Sequence, residues 1–347
     1  MIELATRAYQ LPLKHVFTIA RGSTSLRDTL IVAVTAGGKT GYGEATANAY
    51  YRATIPELTT AVESARQTLA SFDVTQPDRL IDTLLPQLAT LLGEQAFALC
   101  ALDLAIHDLW GKLRGEATHR LWGLDSNKAP LSNYTIGIDT VPKMVEKMQE
   151  VADWPLLKIK LGTDNDLEIV RELRRHSQAI FRVDANCGWT AQQTIDYSGE
   201  LADLGVEFIE QALPADDVEG AERVFAESRL PVIADESCVV ESDVARCAGR
   251  FHGVNIKLVK CGGLAPGRRM VAAARELGMK VMAGCMTEST VGISALGQLA
   301  PLLDYVDMDG AALLASDIAT GVHLERGRAI YPDRPGNGVE LLEPLAG

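Results

Sequence analysis

Short runs of apolar, β-branched residues recur along the second two-thirds of the chain, each followed by a helical repeat of apolar positions. They are Asn133–Gly137, Leu156–Lys160, Phe181–Asp184, Val206–Glu210, Val232–Asp235, Val254–Lys257, Val281–Gly284 and Tyr305–Asp309. Strands that alternate with helices build right-handed βαβ units in a parallel sheet, and eight of them close into a barrel. A doubly wound open sheet would instead carry a glycine-rich dinucleotide loop after an early strand. The pair Gly262-Gly263 follows a late strand and reads as a turn. Ahead of the barrel, Thr29–Thr35 is β-rich, and Ala36–Lys39 offers a hairpin turn into Thr40–Ala45. Leu58–Ser71 and Ala96–Leu113 then show helical spacing, with Gly115 as a stop. This first part is an α+β module. The β-like tail, His323–Glu325 and Ala329–Tyr331, is expected to return to it.

Composition narrows the class. The chain has 347 residues, 47% apolar and 23% charged, which is ample for a core plus an appendage. No stretch approaches the roughly 20 apolar residues of a membrane span, and the N-terminus lacks the pattern of a secretory signal, so a cytoplasmic protein is expected. A net charge of −13 argues against nucleic-acid or anionic-membrane partners. Six dispersed cysteines and six dispersed histidines show no zinc spacing, and the cysteines are expected to be reduced.

The strand ends carry the chemistry. In order they close with Lys158 and Lys160, Asp184, Glu210, Asp235, Lys257, then Asp307 and Asp309. From Lys160 to Lys257 they stand about 25 residues apart, one βα unit, so they share the mouth formed by the C-terminal strand ends. Apolar packing requires none of this charge. Any single acid here could merely cap the helix that follows. Asp184, Glu210 and Asp235 on adjacent strands repel one another unless a cation sits between them, and all-oxygen ligation suits Mg²⁺, with Mn²⁺ as the alternative. Lys158 and Lys160 leave their strand on one face, and each disfavours the other's charge, which favours a free amine able to act as a base. Lys257 lies across the mouth from them. A substrate held between them can lose a proton on one face and regain it on the other, which is racemisation or epimerisation. Asp307 and Asp309 are expected to meet a substrate ammonium.

Lys158-Ile-Lys160, Val183-Asp-Ala-Asn186, Ile209-Glu-Gln211, Ala234-Asp-Glu-Ser237, Asn255-Ile-Lys257 with Gly262-Gly263, and the helix Ala101–Lys112 resemble the muconate-lactonising subgroup of the enolase superfamily. The resemblance implies a (β/α)7β TIM-like barrel with an N-terminal α+β capping domain. The expected boundaries are residues 1–128 for the cap, completed by 318–347, and 129–317 for the barrel. It implies Asp184, Glu210 and Asp235 as metal ligands. Lys160 becomes the acid/base for the R-configured carbon and Lys257 the one for the S-configured carbon. Lys158 holds the substrate carboxylate and tunes Lys160. Asp307-Met308-Asp309 is similar to the element of dipeptide epimerases that binds the free ammonium. Thr135 and the Gly284-Cys285-Met286 segment line the substrate site. Ile19–Ser23 resembles the mobile specificity loop of epimerases acting on Ala-Glu, where Arg21 would pair with the glutamate side chain. The expected activity is therefore a Mg²⁺-dependent dipeptide epimerase of the Ala-Glu type, assembled as a homo-oligomer like its siblings. The rivals are N-acylamino acid racemase, o-succinylbenzoate synthase or muconate cycloisomerase on the same scaffold. A metal-independent Schiff-base aldolase and a non-catalytic barrel are the more distant ones.

Overall fold

The computed structural model describes residues 1–345; Ala346 and Gly347, at the end of the expected C-terminal segment, lie outside the described residues. The chain opens with an antiparallel sheet of β1 (Glu3–Ile19), β2 (Gly22–Ala36) and β3 (Lys39–Thr46). The hairpin β2–β3 falls where the sequence places it. The long first strand was not anticipated, because its alternation is interrupted by Pro12, Lys14 and His15 and its register slips between Pro12 and Phe17. Helices α1 (Ile55–Ser64), α2 (Arg66–Ser71), α3 (Leu85–Leu92), α4 (Ala96–Arg114) and α5 (Thr118–Leu121) follow. The single helix expected over Leu58–Ser71 is two, with Ala65 as the joint. Gly115 ends α4 in the left-handed conformation, φ 70°, that a residue without Cβ adopts freely.

The next strands are β4 (Tyr134–Ile136), β5 (Leu156–Lys160), β6 (Ile180–Asp184), β7 (Val206–Glu210), β8 (Val232–Ala234), β9 (Gly253–Lys257), β10 (Lys280–Gly284) and β11 (Tyr305–Asp307). They form one parallel sheet in unbroken chain order. A parallel bridge between Ser132 and Val306 joins its two ends. Helices α6 (Val141–Gln149), α7 (Asp166–His176), α8 (Ala191–Asp203), α9 (Val218–Glu227), α10 (Glu241–Cys247), α11 (Leu258–Cys261), α12 (Leu264–Glu276) and α13 (Thr290–Leu299) connect the strands. The eighth strand is shorter than expected: Asp309, at φ −84° and ψ 4°, has left the extended conformation and opens a 3₁₀ turn. Asp235 likewise falls one residue beyond its strand.

The two-residue period of a strand sorts the barrel side chains. Leu157, Ile159, Phe181, Val183, Val254, Ile256, Val281 and Ala283 join the large core outside the cylinder. Phe208, Ile233 and Met282, with Tyr305 against them, form a separate apolar cluster inside it. Arg182 lies over Phe208 and Tyr305, 5.2 and 5.1 Å from the ring centroids. Glu210, Asp235 and Asp307 lie one alternation above Phe208, Ile233 and Tyr305, so this apolar cluster forms part of the floor of the mouth.

Buried acids on α4 and β3 tie the cap to its own C-terminal segment and to the barrel. Asp108 accepts from the backbone of Tyr42 (2.9 Å) and Asn337 (2.7 Å) and pairs with Lys112 at 2.6 Å. Asp103 caps the first turn of α12 through Leu264 N. Glu44 accepts from Ser289 N and Gly292 N at the start of α13. The tail contributes β12 (Ala319–Thr320) paired with β15 (Glu340–Leu341), and the hairpin β13 (His323–Glu325) with β14 (Arg328–Ile330). No helix among the described residues is long and apolar enough to cross a membrane.

Strand β3 rests on α4 backbone to backbone. A Cβ at Gly43 would stand 2.0 Å from Ala101 O and 2.7 Å from Ala105 N. Gly43→Ala is therefore expected to destabilise the protein by about 1–3 kcal/mol in urea unfolding. Gly199, inside α8 with open space around it, is the control: Gly199→Ala is expected to stabilise by about 0.5–1 kcal/mol. Equal effects of the two changes would contradict this packing.

Candidate active site

The charged strand ends converge on one rim, on elements whose register sets their height. Lys160 pairs in register with Asp184, and Asp184 with Glu210. On the other side Gly284 stands level with both Lys257 and Asp307. Lys160 and Lys257 sit on the second and sixth of eight strands, which places them on opposite sides of the cylinder. Between them lies a cavity of about 100 Å³ whose wall includes Lys158, Lys160, Lys257, Asp307, Asp309, Thr135, Cys285 and Met286 from the barrel. Phe17, Ile19, Arg21 and Arg27 of the β1–β2 hairpin cover it. Asp184, Glu210 and Asp235 lie just beneath, essentially inaccessible to solvent.

Ammonium groups hold every one of these carboxylates. Lys158 Nζ lies 3.1 Å from Asp184, 2.7 Å from Glu210 and 2.8 Å from Asp307. Lys160 Nζ is 2.6 Å from Asp184, and Lys257 Nζ is 2.7 Å from Asp235 Oδ2. The fully buried Lys260 donates to Asp235 Oδ1 at 2.6 Å, to the Asp235 carbonyl and to the Cys238 carbonyl. Asn255 donates to Glu210 at 2.8 Å and Asn133 to Asp307 at 2.7 Å. Among the described residues no three acidic, histidine or cysteine side chains are gathered as tightly as a metal shell. Lysine ammonium groups stand between these carboxylates and offset their mutual repulsion.

Burial and pairing act in opposite directions on these groups. Burial would raise the carboxyl of Asp184, but Lys160 and Lys158 overcome it and hold the group at about 2. Burial likewise opposes the Asp235 carboxylate, and Lys257 with Lys260 drives it well below the usual range. Glu210 goes the other way: burial, reinforced by Asp184 and Asp235, outweighs Lys158 and pushes it up to about 7. Asp309 is raised to about 8 by burial and by Asp307. Mutual repulsion of Lys158 and Lys160, the sequence-based route to a free amine, is not the dominant effect on Lys158. Burial disfavours its charge, yet Asp307, Glu210 and Asp184 more than compensate and raise its pKa well above the ordinary value. Lys257 is also raised, by Asp235 against burial.

Each residue singled out in the sequence therefore reaches this rim or its cover. Asp307 and Asp309 face the cavity, but Asp307 is already engaged by Lys158 and Asn133, and Asp309 accepts from Thr135 N at 2.5 Å. Arg21 donates to Glu236 Oε1 at 2.5 Å and to the Asn186 carbonyl, and lies over the ring of Tyr50. Sequence reasoning missed Glu236, Lys260, Asn133 and Asn255. Asn255 stands two residues before Lys257 on one strand face and was detectable by the same spacing that selected Lys158. Lys260 begins a helical turn after its strand, and no strand period reaches it.

Comparison with known proteins agrees with this architecture. Residues 1–123 match the mandelate racemase / muconate lactonizing enzyme N-terminal domain, and residues 143–345 match the enolase C-terminal domain-like family. An L-Ala-D/L-amino acid epimerase of Flavobacterium johnsoniae is 52% identical over 98% of this chain and 100% of its own length. An L-Ala-D/L-Glu epimerase of Bacteroides thetaiotaomicron is 39% identical over 95% of this chain and 86% of its own. Among solved structures, the dipeptide epimerase of Methylococcus capsulatus complexed with Mg and the dipeptide L-Arg-D-Lys superposes with a TM-score of 0.89. It shares 32% identity over 97% of this chain and 99% of its own. On the evidence of its barrel, its cap and these matches along nearly its whole length, the chain belongs to the mandelate racemase / muconate lactonizing enzyme family of the enolase superfamily.

Proposed function

We propose that the protein is a Mg²⁺-dependent dipeptide epimerase that inverts the α-carbon of the C-terminal residue, with Ala-Glu-type dipeptides as substrates. One observation carries the reading: two lysines on opposite sides of a single buried cavity, each set against a carboxylate. The relatives that act on dipeptides support the substrate class. In this reading residues 1–128 and the segment from 318 onward form the cap over a barrel of 129–317.

The residues present fit a hard divalent cation. Asp184, Glu210 and Asp235 supply oxygen donors at adjacent strand ends, and Glu210 Oε2 is buried close to Lys158 without a directed hydrogen bond. Asp184, Glu210 and Asp235 would hold the cation, which would supply positive charge where negative charge develops on the substrate carboxylate. Lys160 takes or returns the proton on the face turned to β5, and Lys257 does so on the face turned to β9. Lys158, fixed by three carboxylates, contributes positive charge at the substrate carboxylate. Asp307 and Asp309 receive the dipeptide's ammonium, which substrates of N-acylamino acid racemases and muconate cycloisomerases lack. The apolar floor and the hairpin cover keep bulk water from the exposed carbanion.

Lys160→Ala and Lys257→Ala are each expected to reduce epimerisation by at least about 10³-fold. Each variant is expected to keep α-proton exchange in D₂O for one epimer only, a different one in each case. Full turnover in either variant, read by chiral chromatography, would discard the two-base scheme.

Treatment with EDTA is expected to abolish turnover and lower Tm. The folded, cation-free protein retains on Glu210 a proton that the unfolded chain releases above its ordinary pKa of 4.5, because burial lifts that group to about 7. Its contribution to stability thus falls as pH rises across that window, and a cation that favours the ionised form restores more the higher the pH. The gain in Tm on adding Mg²⁺ is expected to be larger at pH 8 than at pH 5. A gain independent of pH, by scanning calorimetry, would contradict the ligand assignment.

A further inference from the structure

Among the described residues, the cavity wall contains one cation without a partner. Arg27, opposite Leu11 in the β1–β2 pairing, reaches the same cavity as Lys160, Lys257, Asp307 and Asp309. Its Nε is buried with no hydrogen-bond partner. The three lysines on that wall all rest against carboxylates, and Arg21 is committed to Glu236. Two acids act on Arg27 through space, and neither serves as a counter-ion. Asp28, next to it on the strand, leaves on the other face and accepts from Gln10 at 2.9 Å. Glu288 Oε1 accepts from Met286 N. Burial, with Glu44 beside it, pushes Glu288 up to about 8. Burial is the first influence on Arg27 itself and lowers its pKa.

A desolvated guanidinium facing a substrate cavity requires an anion, and its planar fork suits a carboxylate. An Ala-Glu dipeptide carries two anions and one cation. On the reading above, its α-carboxylate lies at the lysine rim and its ammonium at Asp307 and Asp309, which leaves the side-chain carboxylate unmatched. We propose that Arg27, and not the loop residue Arg21, selects an acidic side chain on the dipeptide's C-terminal residue. Arg21 instead ties the hairpin tip to the barrel through Glu236 and Asn186. This inference rests on the dipeptide reading and narrows it to a substrate class and the residue that reads it.

The test compares L-Ala-L-Glu with its neutral near-isostere L-Ala-L-Gln on the Mg²⁺-loaded enzyme, with kcat/KM read from α-deuterium incorporation in D₂O. In the wild type the Glu substrate is favoured. In Arg27→Gln and Arg27→Ala the ratio of the two kcat/KM values is expected to fall by about 30-fold or more, the scale of a lost desolvated charge pair. Arg27→Lys is expected to fall between. Arg21→Ala is expected to lower both substrates alike and leave the ratio within about threefold. Two Arg27 variants guard against one that fails to fold, and thermal melts identify such a variant. A ratio unchanged in folded Arg27 variants would overturn the assignment and make Arg27 a structural partner of Glu288. A ratio that collapses in Arg21→Ala instead would return the role to Arg21. Failure of the wild type to exchange any dipeptide in a wider panel would sink the epimerase reading and this inference with it.

Discussion

Lys158, Lys160, Lys257 and Lys260 hold Asp184, Glu210, Asp235 and Asp307 in a buried network of ammonium and carboxylate groups. Burying any one of these charges alone would be prohibitive, and leaving one unpaired is the costly case. Their mutual neutralisation allows so many to share one rim. The same pairing makes the site responsive: a divalent cation and a substrate carboxylate are the kinds of charge that can replace a lysine at an acid, or an acid at a lysine, without leaving a bare ion. The chemistry proposed for the rim is a redistribution of these partners.

The scaffold supplies the precision. Strand alternation turns Lys158, Lys160, Asp184 and Glu210 inward while their neighbours pack outside, and in-register pairing sets Lys160, Asp184 and Glu210 at one level. Phe208, Ile233 and Met282 close the floor below. The side chains of Asn133 and Asn255 hold Asp307 and Glu210 from the side. The cap contributes the cover, and its seat is set at a distance from the chemistry by Asp103 and Glu44. Gly43 permits β3 to rest directly on α4. The hairpin that roofs the cavity is thereby part of a sheet locked to the barrel, with Arg21 as a further tie at its tip.

Much of this was legible in the sequence because it obeys short periods. A βα unit repeats about every 25 residues and a strand alternates every two, so the rim could be read from Lys160, Asp184, Glu210, Asp235 and Lys257 alone. Strand β1 was not legible, since Pro12, Lys14 and His15 break its pattern and its register against β2 slips between Pro12 and Phe17. Lys260 was missed because its value depends on a strand neighbour 25 residues away, and Glu236 because its partner is 215 residues away. The choice between Arg21 and Arg27 illustrates the boundary. Both are basic residues near one hairpin, and only the fold reveals that, among the described residues, the first has a carboxylate and the second does not.

The most direct test of the central claim is an anomalous-scattering map of crystals grown with Mn²⁺ and a dipeptide. The account predicts a single ion bounded by Asp184, Glu210 and Asp235, with the amines of Lys160 and Lys257 approaching the substrate α-carbon from opposite sides. An ion bound elsewhere, carboxylates still held by their lysines at saturating metal, or both amines on one side of that carbon would contradict it.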